Sequence, residues 1–183
     1  MKKRLILPLL ALLLSGCISP PQGLEADKFT IQSLQKIESD DYRCECKKVR
    51  LGGKVIAATA LKDNTKVEVL SLPVSRFSAK PIVESNSEGR FIAYLPGFVD
   101  PESLKEQYIT VVGLLKGKET GKIDQADYQY PLVEATTYKQ WRLVQEYYYD
   151  PLDWEDYWYE RHFGFGIGYR LFPPQPKLRY NLY

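Results

Sequence analysis

Three hydrophobic patterns follow one another along this chain. Leu5 to Leu14 is a nearly unbroken apolar run, interrupted by Pro8. The middle holds short apolar stretches separated by turn residues, and from Tyr147 onward aromatic and acidic residues interleave. Phe29 to Ser39 carries Ile31, Leu34 and Ile37 at spacings of three with Thr30 as N-cap, which predicts a short helix. Val49 to Ala58 is an apolar strand holding the pair Gly52-Gly53, which marks a bulge or sharp bend. Asp63-Asn64 turns the chain, and Thr65 to Leu70 alternates in part, so the two segments form a hairpin. Arg90 to Tyr94 is a third strand. Asp100-Pro101-Glu102 opens a helix, with Asp100 as N-cap and Pro101 in the first turn. Tyr108 to Lys116 is a fourth strand, Gly117 to Gly121 a turn, and Leu132 to Leu143 a fifth strand.

That order makes the fold mainly β. It fits a small five-stranded, closed or partly closed barrel of the oligonucleotide/oligosaccharide-binding (OB) type, with one or two short helices, one of them between strands three and four. The glycine pair lets one strand bend and serve both halves of the barrel. An open sandwich is the alternative.

The chain start changes the picture. Lys2, Lys3 and Arg4 precede an apolar run too short to span a bilayer, since a spanning helix needs ~20 apolar residues. A basic end, a short apolar run and small residues make a signal peptide, not a domain element. It ends Leu14-Ser15-Gly16-Cys17, which resembles the lipobox of bacterial lipoproteins. The resemblance implies cleavage between Gly16 and Cys17, a diacylglycerol on the Cys17 thiol, and acylation of the new amine. Several acyl chains hold a protein stably on a membrane where one does not. Ile18, not Asp, follows Cys17, and in that class this favours the outer membrane. The expected organisation is a signal peptide over 1–16, a lipidated tether over 17–28, a barrel over 29–146 and an aromatic-rich extension over 147–183.

Charge and cysteines add limits. Taking Lys2, Lys3 and Arg4 from the 25 basic residues leaves 22 against 23 acidic ones, so the mature chain has no basic nucleic-acid footprint. Cys44 and Cys46 lie one residue apart, a spacing awkward for a mutual disulfide. On a strand they would share a face. They are left unpaired or locally oxidised, joined to another chain, or bound to a soft metal for which the chain offers no further obvious ligands.

No catalytic spacing emerges. His162 is the single histidine, set in an aromatic segment, and reads as structural or exposed. Gly164-x-Gly166-x-Gly168 is not the dinucleotide fingerprint, and Gly52-Gly53-Lys54 lacks the first P-loop glycine. The sequence therefore points to no enzyme, no metal and no cofactor beyond the lipid on Cys17.

The C-terminal segment concentrates the aromatics: 13 of 24 fall between Tyr147 and Tyr183. Tyr and Trp combine an apolar body with a polar tip, which suits binding surfaces and membrane interfaces. Tyr148, Trp154, Tyr157, Trp158, Phe163 and Phe165 are the candidate interaction surface. The interleaved acids argue against deep membrane insertion. Phe163 to Tyr169 alternates large residues with glycine, as a strand covering the barrel would. Packing on the barrel, association with an envelope protein or a second copy, and contact with the membrane surface are all open.

Arg50-Leu51-Gly52-Gly53-Lys54-Val55, Glu68 to Pro73, Gly89 to Ala93, Gly97 to Pro101, Tyr108 to Gly113, Tyr130 to Glu134 and Trp141, taken in order, resemble the Slp family of starvation-inducible outer-membrane lipoproteins. The resemblance implies a lipid-anchored outer-membrane protein with a non-enzymatic β-domain and a role in envelope integrity under starvation or stationary-phase stress. The alternative is an envelope glycan- or ligand-binding module that uses the OB-like barrel.

Overall fold

The computed structural model describes residues 19–43, 47–163 and 172–183. Strand β1 (Lys48–Ala60) runs antiparallel to β2 (Asn64–Leu72), and β2 to β3 (Gly89–Pro96). Strands β4 (Tyr108–Ile123) and β5 (Ala126–Trp141) form a long hairpin. β5 pairs parallel with β3 through Ile92↔Leu132 and its two successors, and β4 pairs back to β1. The order β1-β2-β3-β5-β4 therefore closes on itself.

Alternation puts every second residue of a half-buried strand inside. In β2, Thr65, Val67, Val69 and Ser71 are buried, while Lys66, Glu68 and Leu70 are half-buried outside. Val67 and Val69 meet Val49, Leu51, Phe91 and Val111 in one core cluster. Helix α1 (Pro101–Leu104) starts where the Asp-Pro signature predicts: the Glu102 amide donates to Asp100 Oδ1 at 3.0 Å. Its Leu104 is fully buried in the core.

Gly52 and Gly53 lie in the stretch of β1 that pairs with both β2 and β4. They pair with Leu72 and Ser71 of β2 and with Thr110 and Ile109 of β4. A Cβ on Gly53 would lie 1.8 Å from the Leu70 carbonyl oxygen, and one on Gly52 2.8 Å from that of Ile109. The pair thus serves close approach between strands. The bulge itself falls just beyond, between Val55 and Ala57.

Four expectations are corrected. Residues 29–39 form no α-helix: Ile31 makes a parallel bridge to Val49, and Leu34–Lys36 is a single 3-10 turn. Extended Ile31 gains a backbone partner on β1 that a helix would forgo. Gly117–Gly121 is not a turn either. The ladder slips between Leu115 and Gly117, where Gly117 has φ 121°, and the strand continues to a turn at Asp124, φ 52°. Here glycine marks a bulge rather than a reversal. The segment from Leu24 is not spacer, because Leu24 and Ala26 are buried. Finally, the expected boundary between 146 and 147 falls inside β6 (Leu143–Tyr148), which pairs with β7 (Lys177–Leu182) as a two-stranded ribbon.

Candidate functional site

The ribbon grows directly out of the barrel wall. After Trp141 closes β5, Arg142 and Tyr183 exchange backbone hydrogen bonds of 2.8 and 3.0 Å. Leu182 packs with Leu72, Tyr108 and Trp141 outside the main core. Lys80 places its ammonium over the rings of Trp141 and Tyr183, 5.6 and 5.2 Å from their centroids. Glu146 organises the ribbon: Asn181 Nδ2 donates to it at 2.6 Å, the Tyr183 hydroxyl at 2.5 Å and Arg179 at 3.3 Å. The Tyr183 bond first, then Asn181 and Arg179, hold the Glu146 carboxyl below its ordinary range.

Between β6 and β7 lies helix α2 (Pro151–Phe163), which was expected only as aromatic tail. It starts as α1 does: the Leu152 amide donates to Asp150 Oδ1 at 3.1 Å, and Pro151 follows. Asp153 lies in the first turn and Arg161 and His162 in the last, so charge complements the helix dipole at both ends. Lys177 of β7 clamps that first turn through Asp150 (3.1 Å) and Asp153 (2.8 Å), and its own pKa is raised by those two carboxylates.

The expected interaction residues divide once placed. Tyr157 is buried, stacked edge-on by Trp154 and bonded at its hydroxyl by Arg161 at 2.8 Å, so it supports the helix and offers little surface. Trp154 is half-buried against Tyr149 and Tyr157. Tyr148 is half-buried in β6 under the Arg179 guanidinium. Trp158 and Phe163 are exposed, at 53% and 67%. Residues seven and four apart on a helix share a face, so Leu152, Tyr159 and Phe163 form one stripe, each about two-thirds exposed. On a helical wheel that stripe lies opposite the side holding Tyr157 and Arg161. Leu152 and Tyr159 were not singled out in the sequence, although the Asp150-Pro151 start would have set their register. His162 stacks on Trp158 at 5.0 Å, with Nδ1 3.0 Å from the Trp158 carbonyl. Phe163 ends α2 and begins no strand; Phe165 and the rest of the alternating run to Tyr169 lie outside the described residues, as do Gly16, Cys17, Cys44 and Cys46. Among the described residues no group of His, Cys, Asp and Glu could hold a metal.

A second cluster ties the N-terminal segment to the barrel. Arg50 is fully buried. Its Nη1 donates to the Leu24 carbonyl and its Nη2 to Gln32 Oε1, both at 2.9 Å. Gln32 Nε2 reaches the Ala26 carbonyl at 2.9 Å. A buried guanidinium thus holds two points of the segment that leads to Cys17, and Gln32 ties in a third at Ala26.

The model of the outer membrane lipoprotein Slp family matches residues 14–164, from Leu14-Ser15-Gly16-Cys17 through the barrel and α2. The chain belongs to that family. As an Slp-family member it is an outer-membrane lipoprotein. It is 52% identical to an uncharacterized protein of Haemophilus influenzae over 92% of this chain and 91% of that one. It is 32% identical to the uncharacterized lipoprotein YeaY of Escherichia coli, over 87% and 82% of the two chains. With the outer membrane protein Slp of the same organism it shares 30% identity, over 78% and 77%. No solved structure matches. Among the described residues no helix is long and apolar enough to cross a membrane.

Proposed function

We propose that this chain is a non-enzymatic outer-membrane lipoprotein, anchored by acyl chains on Cys17, whose barrel carries an aromatic arm that docks on another envelope protein and supports envelope integrity in starvation or stationary phase. The observation that carries it is the exposed Leu152–Tyr159–Phe163 stripe on α2, held out from the barrel by the β6–β7 ribbon. A helix is stabilised by burying an apolar face. Here the residue that does so is Tyr157, and the opposite stripe stays open to a partner. The exposed acids around it, Glu155 and Asp156, favour a partner with basic groups over an anionic lipid surface.

The strand order and the α1 connection between β3 and β4 support assignment of the barrel to the OB type. Such barrels take oligosaccharides and nucleic acids on the face of strands two and three. In this chain the far half of the β4–β5 hairpin lies against that face. Glu119 bridges Lys66 and Tyr94, the Tyr130 hydroxyl meets Glu68 at 3.3 Å, and the Arg90 amide donates to the Tyr128 hydroxyl at 3.0 Å. Ile92, outward by alternation, is only 4% exposed. A glycan on this face would have to displace the hairpin, which weighs against the ligand-binding alternative.

The test combines Leu152→Ser, Tyr159→Ser and Phe163→Ser in one variant, expressed in cells that lack the native protein. Mass spectrometry of the mature N-terminal peptide should show acylated Cys17. Survival in stationary phase under envelope stress should fall to the level of the deletion. Survival equal to the parent would reject the arm as the working surface, and a mature peptide with a bare Cys17 thiol would reject the anchor.

A further inference from the structure

We propose that the β2–β3 loop, tipped by Phe77, rests on the lipid leaflet that holds the anchor, so that the barrel meets the membrane with one fixed face. The inference rests on acylation of Cys17. Leu24, which follows Cys17 by seven residues, is 2% exposed and packs against Ala79 of this loop. Asp27 pairs with Arg76 at 2.9 Å, and the Thr110 hydroxyl donates to the Ala79 carbonyl at 2.6 Å. With the Arg50 bond to Leu24, the loop and the N-terminal segment are one packed unit on the barrel.

Chain length then sets the distance. Seven extended residues reach at most about 25 Å. The turn closed by the Leu24 amide on the Pro21 carbonyl, at 3.0 Å, shortens that reach. The headgroup layer of one leaflet takes about 5–8 Å of it. The face carrying Leu24 is therefore held next to the headgroups, and Phe77 stands on that face, 74% exposed, with Ile82 of the same loop 47% exposed. Arg76, next to Phe77 in the chain, is paired with Asp27, and Lys80 is turned to Trp141 and Tyr183, so the loop meets the leaflet with its apolar tip. An exposed aromatic tip with an apolar neighbour suits the interface, where the ring enters the headgroup–acyl boundary. Phe98 is as exposed, at 76%, but sits at the other end of β2: Pro96 pairs with Asn64, whereas the Phe77 loop leaves from Leu72. Nine strand residues separate the two ends by roughly 25–30 Å.

The experiment uses the full acylated protein in vesicles of phosphatidylethanolamine and phosphatidylglycerol. Cys44 and Cys46 are replaced by Ser, and Phe77→Cys or Phe98→Cys carries an environment-sensitive fluorophore. Blue-shifted emission and several-fold stronger quenching by bromine-labelled lipid at position 77 than at 98 is the expected result. Equal quenching at both positions, on protein whose acylation is verified by mass and which floats with the vesicles, overturns the fixed face while leaving the anchor standing. A bare Cys17 thiol with no flotation overturns the anchor and this inference together. Protection of position 77 in an added protein complex but not by vesicles would assign the loop to a protein partner and also overturn it.

Discussion

The barrel and the C-terminal arm are built by opposite means. In the barrel every strand has two hydrogen-bonded neighbours, and Val55, Val67, Val69, Phe91 and Val111 are fully buried. In the arm a single ribbon and one helix are held mainly by charge-assisted bonds at Glu146 and Lys177, with Leu182 as the apolar contact to the barrel. Apolar burial involves no titrating charge, whereas exposed ion pairs are weak and screened by salt. The same chain thus joins a stiff body to a surface that a partner or a change of medium can reshape.

The largest effect should come from Gly53→Val. Its side chain has no space beside the Leu70 carbonyl, and the loss should exceed about 4 kcal/mol, seen as absent cooperative unfolding. Gly97→Ala sharpens the point: it meets no atom and suffers only the left-handed backbone at φ 75°, costing about 1 kcal/mol in denaturant unfolding. Arg50→Met should come next, at about 3 kcal/mol, since the Leu24 carbonyl and Gln32 lose their donor in a buried place. Limited proteolysis should then cut between residues 19 and 32 before the barrel opens. Leu182→Asp should undock the arm for about 2 kcal/mol of local stability. Hydrogen exchange should speed up in β6 and β7 while β1 to β5 keep their protection; equal loss in both would mean the two regions are one cooperative unit.

Acid should produce the smallest effect and separate the regions most gently. Glu146 and Asp150 have lowered pKa values when folded, through Tyr183 and Lys177 respectively. Their contribution is present above the unfolded carboxylate range near pH 4 and is lost as pH falls through the lower folded values. Near-ultraviolet dichroism of the arm aromatics should therefore weaken below about pH 4 ahead of the barrel transition. Simultaneous loss would remove the contrast.

Legibility followed the same division. Local signals that act within a few residues were readable: the β1–β2 hairpin, the Asp100-Pro101 cap, and the alternation in β2. The matching Asp150-Pro151 cap was equally readable and was obscured by the density of aromatics after it. The Gly117 bulge looked like a turn because glycine permits both, and only the β5 residues opposite decide which forms. The aromatic positions could be named, but not that Tyr157 is buried and Phe163 free, because burial depends on which helix side meets the rest of the chain.

The sequence alone determined the elements with strong short-range chemistry, since these depend on neighbours along the chain. The tertiary structure decided that β4 returns to β1, that the β4–β5 hairpin covers the β2–β3 face, and that Arg50 fastens Leu24 beside the Phe77 loop. Those contacts join residues far apart in sequence. They form only where strand pairing and close approach at Gly52 and Gly53 bring the distant segments together.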